Sequence, residues 1–134
     1  MLQNDYLMRQ IMLLVEAIRR SLLAEKLAPG ESAEELEASL ASAVDIEPGL
    51  LASLAPESLV TVLQLGNFDE SLVPYVARGL GLAAYYHEQA GEVKSADLRI
   101  QQLGALARAY DLDITYADCQ PAAVEDFLDP AEAD

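Results

Sequence analysis

The sequence predicts an all-α protein, a single-domain bundle of five to seven helices spanning residues 1–134, and three observations support this fold class. Apolar residues make up 52% of the 134 positions, which suffices for one hydrophobic core. Leu and Ala dominate the composition, and these residues lose least on entering a helix. No stretch alternates apolar and polar residues for long enough to predict a strand. The acidic tail from about residue 129 is a candidate for disorder.

The first predicted helix runs from about Asp5 to Leu27, with Asn4 or Asp5 as its N-cap and Pro29-Gly30 as its stop. Other apolar residues fall outside its core-facing stripe, so the helix is more apolar than one-sided packing requires. These surplus residues form either a docking surface or a part of the helix that the chain's own helices cover. The stripe itself consists of Leu7, Ile11, Leu14, Val15, Ile18 and Leu22.

The outward side of this first helix is the candidate interaction site. Docking of one helix on another needs no cofactor, so the expected partner is another protein or a second copy of the chain. A helix lying on a membrane surface is a third interpretation, which the short supply of Lys disfavours. The candidate interaction residues are Met8, Arg9, Met12, Leu13, Glu16 and Arg20.

Charge is unevenly distributed along the chain, whose formal net charge is −15. Residues 1–30 carry four basic and three acidic side chains, whereas the remaining residues carry four basic and twenty acidic ones. Nucleic-acid binding depends on neutralising phosphates with Lys and Arg. We therefore expect no nucleic-acid partner for this acidic protein.

The first helix does not resemble a secretory signal or a membrane anchor. Its longest apolar run, Ile11 to Val15, is shorter than the roughly 7–15 residues of a signal. Charged residues interrupt it well before the roughly 20 apolar residues that a membrane span needs. The single cysteine, Cys119, excludes an internal disulfide. These features predict a cytoplasmic protein without a membrane span.

Capping residues and helix breakers divide the rest of the chain into further helices. A second helix opens with a predicted capping box, Ser32-x-x-Glu35, and ends before Pro48-Gly49. Pro56 suits the first turn of a later helix, where its missing N–H costs nothing. The other predicted helices span residues 50–54, 56–65, 71–89, 92–110 and 122–128.

Three glycines, Gly79, Gly81 and Gly104, lie inside predicted helices, where each costs about 1 kcal/mol relative to Ala. Gly79 and Gly104 lie at nearly equal distances from Gly91, the turn glycine between the fifth and sixth helices. We expect these two positions to face each other where the two helices cross closely.

The segment "AAYYHEQAGEVKSADLRIQQL" resembles the helical hairpin of a tetratricopeptide repeat. Tyr86, Gly91 and Ala96 lie where that repeat has an aromatic residue, a turn glycine and a small packing residue. The usual Trp and Gly pair of the first helix is missing, and no 34-residue period recurs. The resemblance implies a packed helical hairpin in the C-terminal half, and not a peptide-binding groove.

The opening "NDYLMRQI" is similar to the start of a family of small, all-helical bacterial proteins without an assigned activity, which begin with Asn-Asp-aromatic-x-Met-Arg-Gln-Ile. The similarity is strongest over residues 4–23 and continues loosely through "LGNFD" and "YYHEQAG". It implies a bacterial, cytoplasmic, helical domain.

His87 is the only histidine and lies beside Tyr85 and Tyr86. These residues form a second candidate site, which would make the protein a small ligand-binding protein or an enzyme. A catalytic base or a metal ligand is one interpretation of His87. The other is a structural histidine near a helix C-terminus, where a cation is favoured. The two-histidine zinc motif is absent from the sequence.

No other motif predicts catalysis or metal binding. Asp111, Asp113 and Asp118 share one loop, but Tyr116 and Ala122 occupy the positions where an EF-hand needs Gly and Glu. The cysteine lacks both a second cysteine and an adjacent base. We therefore expect no metal and no cofactor, and the sequence favours a non-enzymatic protein over an enzyme.

Overall fold

The computed structural model describes residues 2–24, 26–66 and 68–129. These ranges contain seven α-helices and no strand, which confirms the predicted all-α bundle. The helices are α1 (Leu2–Leu23), α2 (Pro29–Ala43), α3 (Pro48–Ser53), α4 (Pro56–Leu65), α5 (Val73–Gln89), α6 (Val93–Ala109) and α7 (Pro121–Leu128). Two 3-10 turns, Glu70–Leu72 and Tyr116–Cys119, precede α5 and α7. Most of the acidic tail, residues 130–134, lies outside the described residues.

Prolines mark the beginnings of most helices, because their fixed φ suits the first turn and their missing N–H needs no partner there. Pro29 therefore begins α2, and its predicted role as part of the stop of the first helix is wrong. The predicted capping box is also wrong, because Ala28 is the N-cap and Ser32 is buried inside the helix. The prolines in first turns are Pro29, Pro48, Pro56, Pro74 and Pro121.

The first helix is displaced towards the N-terminus relative to its predicted range. It begins at Leu2 and ends at Leu23, so Asp5 lies in its first turn and is not its N-cap. The apolar stripe faces the core as predicted, with Leu14 and Ile18 buried. Three further stripe residues pack partly buried against the core.

Helix α5 is the centre of the bundle. It packs against α6 and α2, and also contacts α1 and the Tyr116–Cys119 turn. Small residues make this possible, since Ala77, Ala83 and Ala84 are fully buried. The predicted hairpin of α5 and α6 is confirmed, and its turn needs glycine because Gly91 has a φ of +78°.

The two helix glycines predicted to face each other do not meet. A Cβ on Gly79 would lie 2.6 Å from Leu40 Cδ2 of α2, whereas a Cβ on Gly104 would meet Arg108 of its own helix at 3.4 Å. A Cβ on Gly81 would overlap the Cβ and Sγ of Cys119. The close approaches to α5 thus come from α2 and from the turn before α7, so the expected crossing at Gly79 and Gly104 is wrong.

Candidate functional site

The outward side of α1 carries most of the exposed large apolar side chains. Among the described residues eight such side chains are exposed, and five of them lie on α1. Met12 is 63% exposed and Leu13 is 55% exposed, so the chain's own helices do not cover them. The alternative of a helix covered on all sides is therefore wrong. The five residues on α1 are Tyr6, Met8, Met12, Leu13 and Leu23.

Four exposed charged residues, Asp5, Arg9, Glu16 and Arg20, form a line along the same side of α1. Their spacings of four, seven and four residues place them on one face of a helix. None of the four forms an ion pair within the described part of the chain. Arg19 differs from them, since its guanidinium lies 2.6 Å from Asp129, directly after α7. We call these four residues the charged row.

The predicted interaction residues therefore share one exposed surface, which we call the outer face: Met8, Arg9, Met12, Leu13, Glu16 and Arg20. One edge of the outer face borders a groove of about 460 Å³ between α1 and α2. Leu13 and Arg20 lie on the α1 side of this groove, and small residues of α2 form its other side. Those α2 residues are Ala38, Ser39, Ser42 and Ala43.

Tyr86 and His87 of the second candidate site make their side-chain hydrogen bonds with different parts of the bundle. The ring of Tyr85 contacts that of Tyr86 edge-on, with centroids 5.7 Å apart. The Tyr86 hydroxyl donates a hydrogen bond to Ser21 Oγ of α1 at 3.3 Å. Burial raises the pKa of this hydroxyl above its ordinary value. His87 instead is buried and lies between α2 and the start of α6.

Both ring nitrogens of His87 contact carboxylates. The Nε2 atom lies 2.7 Å from Glu37 Oε2, and the Nδ1 atom lies 2.8 Å from Glu92 Oε1. A carboxylate accepts hydrogen bonds and cannot donate them, so both nitrogens must carry protons. The geometry therefore indicates the imidazolium form of His87. A metal or a substrate proton could reach either nitrogen only after one of these hydrogen bonds breaks.

Glu37 also binds Arg99, which extends the contact to a second buried cation. Arg99 Nε donates to Glu37 Oε2 at 2.7 Å, and the guanidinium also donates to the carbonyl of Ala52 and to the side chain of Gln102. Gln102 in turn donates to the carbonyls of Leu51 and Leu54. We call Glu37, His87, Glu92, Arg99 and Gln102 the Glu37 cluster.

The Glu37 cluster joins four parts of the bundle, namely α2, α3, α5 and α6. Among the described residues no buried side-chain nitrogen or oxygen lacks a hydrogen-bond partner. Fully satisfied networks of this kind hold elements in one arrangement, whereas a half-satisfied one would be costly. The Glu37 cluster therefore acts as a structural network that holds these helices together.

The pKa values of the two central groups move in opposite directions. Burial lowers the pKa of His87, but hydrogen bonds to Glu37 and Glu92 outweigh it and bring the pKa above its ordinary 6.5. Burial raises the pKa of Glu37, but hydrogen bonds from His87 and Arg99 outweigh it and bring the pKa below its ordinary 4.5. Both groups are therefore charged at pH values between the pKa of Glu37 and the pKa of His87.

These shifts predict how stability depends on pH. The contribution of His87 is fully present below pH 6.5 and is lost as the pH rises through its folded-state pKa. The contribution of Glu37 is present above pH 4.5 and is lost as the pH falls through its folded-state pKa. We expect the stability difference between the wild type and His87→Gln to be largest between these limits and to shrink at higher pH.

An NMR titration of the imidazole checks the same prediction without unfolding the protein. His87 is the only histidine, so its signals are unambiguous. We expect the wild-type imidazole to titrate with a midpoint above 6.5. Glu92→Gln should lower this midpoint, and the Glu92 side chain is half exposed, so its replacement leaves the core intact. A midpoint at or below 6.5 in the wild type would contradict the imidazolium assignment.

Sequence reasoning missed the two direct partners of His87, Glu37 and Glu92. It also missed the cluster members beyond them, Arg99 and Gln102. One local signal was available, because Glu37 lies four residues from both Ala33 and Ala41 on the buried face of α2. Arg99 likewise lies three residues after the buried Ala96 of α6. Opposite charges on two buried helix faces suggest a buried ion pair.

The remaining chemical candidates have structural roles. Burial raises the pKa of Cys119 to about 12, since the nearby Arg78 only partly offsets it, so the thiol stays protonated. The Asp118 carboxylate accepts hydrogen bonds from the backbone N–H and hydroxyl of Thr115, which caps the turn before α7. No group of three or more His, Cys, Asp or Glu side chains in the described ranges is arranged to hold a metal ion.

Comparisons with known proteins add no assignment. No family model, no curated protein and no solved structure matches the chain. Within the residues that the structure describes, no helix combines the length and the apolar character needed to cross a bilayer.

Proposed function

We propose that the protein is an interaction module that docks a protein partner through the outer face of α1. The observation that carries this proposal is the concentration of five exposed apolar side chains on one helix. Single scattered apolar residues are normal on a protein surface, whereas a group of them on one side of a helix often marks a docking site. The partner would place a helix or a comparable apolar surface along α1.

The charge distribution of the chain also favours the outer face as the docking surface. The chain outside residues 1–30 carries twenty acidic and four basic side chains, so most of the protein repels acidic partners. The outer face combines Arg9 and Arg20 with a single acid, Glu16. An acidic partner would therefore meet less repulsion along this face than elsewhere on the protein.

The opening segment connects this proposal with the family that it resembles. The resemblance is strongest over residues 4–23, which belong to α1. We therefore propose a bacterial, cytoplasmic protein that docks its partner through this first helix. The alternative, a ligand-binding protein or an enzyme at Tyr85, Tyr86 and His87, requires His87 to leave two carboxylate partners, and no observation favours it over docking.

Site-specific photo-cross-linking in the native cell tests the proposal. A photoreactive amino acid at Met12 is expected to give a discrete adduct whose second component mass spectrometry identifies. The adduct should disappear when Leu13→Glu is introduced into the same chain. Leu13 is half exposed, so this substitution leaves the core untouched.

The matched control places the same photoreactive residue at Leu65 of α4, which is 81% exposed and lies outside the outer face. It is expected to give no discrete adduct. Absence of an adduct from Met12, or identical adducts from Met12 and Leu65, would contradict a docking role for α1.

A further inference from the structure

We infer that the partner of the outer face is a second copy of this chain, docked antiparallel about a two-fold axis between Met12 and Leu13. This inference rests on the docking role proposed for α1 and names its partner. Two-fold contacts use the same surface on both copies, so the surface must be complementary to itself. The charged row of α1 meets this condition.

The order of charges in this row reverses sign about its own midpoint. From the N-terminus it runs acid, base, acid, base at Asp5, Arg9, Glu16 and Arg20. Asp5 and Arg20 lie equally far from the midpoint between residues 12 and 13, and so do Arg9 and Glu16. An antiparallel second copy therefore places each acid level with a base of its partner, in four pairs.

These charges are available for such pairing. Asp5 and Arg9 lie one helical turn apart, as do Glu16 and Arg20, yet neither pair is closed in the described structure. A second copy is the simplest molecule that offers the complementary order at the right spacing. Charge pairs of this kind chiefly fix register and orientation.

The apolar residues of the outer face flank the charged row. At about 100° per residue, Met12 and Leu13 lie on opposite sides of the line through Arg9 and Glu16. The two-fold axis places Met12 beside Met12 of the second copy on one side of the row. It places the two Leu13 side chains together on the other side, next to the groove between α1 and α2. Burial of these side chains supplies the affinity.

The overall charge of the protein disfavours other arrangements of two copies. Outside residues 1–30 the chain carries a net charge of −16, so surfaces away from α1 repel their counterparts. Residues 1–30 carry a net charge of +1. Two copies can therefore approach each other with least repulsion along α1.

Two complementary variants test the register by light scattering of the purified full chain. One carries an all-acidic row, Arg9→Glu with Arg20→Asp, and the other an all-basic row, Asp5→Arg with Glu16→Arg. Each alone should dimerise about tenfold more weakly than the wild type or worse, because every cross-copy pair becomes like-charged. An equimolar mixture should regain the mass of two chains.

The control variant, Lys94→Glu with Arg108→Glu on α6, changes the net charge as much as the all-acidic row does. It is expected to keep the wild-type mass, and circular dichroism confirms the fold of every variant. A wild type with the mass of one chain at all concentrations would overturn the inference. A dimeric wild type whose two row variants fail to associate on mixing would overturn the register.

Different results would reject the proposed docking function and the inference of a second copy. A cross-link from Met12 to a different protein, together with a monomeric wild type, would keep the docking role and reject the second copy. Absence of any cross-link from Met12 would reject both.

Discussion

Replacing Glu37 by Ala is expected to lower the free energy of unfolding by about 3–5 kcal/mol. Glu37 is the carboxylate that contacts both buried cations of its cluster, at 2.7 Å from His87 and 2.7 Å from Arg99. Arg99 is only 3% exposed and cannot turn to solvent without breaking its other hydrogen bonds. The substitution would leave its charge in the core without a counter-charge.

Urea unfolding of Glu37→Ala checks this value against Glu34→Ala, an exposed position on the same helix. The control is expected to change the free energy of unfolding by no more than about 0.5 kcal/mol. Glu37→Leu combined with Arg99→Met should cost less than the sum of the two single changes, because it removes both charges of a pair. Equal losses of unfolding free energy at Glu37 and Glu34 would contradict a stabilising role of the Glu37 cluster. Additive effects of the two changes in the double variant would contradict it as well.

Replacing Gly81 by Ala is expected to cost about 1–3 kcal/mol, because the new methyl group would overlap the buried side chain of Cys119. The same methyl group would also lie 3.3 Å from Leu103 Cδ2, a tight contact. Replacing Gly104 by Ala should instead raise the free energy of unfolding. The nearest atom there is the terminal nitrogen of Arg108, 3.4 Å away at the end of a flexible side chain.

Gly104→Ala is therefore expected to stabilise the protein by about 0.5–1 kcal/mol through helix propensity alone. Thermal unfolding of both variants beside the wild type gives the two signs in one experiment. A neutral Gly81→Ala would show that α5 does not pack against the turn before α7 as closely as described. A destabilising Gly104→Ala would show a contact at α6 that the structure lacks.

The sequence predicts best those features that depend on neighbouring residues. The 3.6-residue period identifies Leu14 and Ile18 as core residues of α1, and it leaves Met12 and Leu13 outside the stripe. Helix boundaries are less certain, because one residue can give two signals. The pair Pro29-Gly30 indicates the stop of one helix, whereas in the structure the same proline begins the next helix.

Features that depend on distant residues could not be predicted in the same way. Nearly equal distance from Gly91 places Gly79 and Gly104 at similar heights in the hairpin, but it does not determine which side of its helix each glycine occupies. The partners of Gly79 and Gly81 belong to α2 and to the turn before α7. The helix patterns place Glu37 and Arg99 on buried faces, but they do not identify which residues pair. Glu37 lies 50 residues from His87 and 62 residues from Arg99.

The solution mass of the purified protein tests most directly whether α1 docks a second copy. We expect the wild type to approach twice the chain mass of 14.5 kDa as its concentration rises. Met12→Glu combined with Leu13→Glu should give a folded protein of single-chain mass, because both side chains are exposed. A wild type of single-chain mass throughout, or a double variant that keeps the dimer mass, would contradict the account.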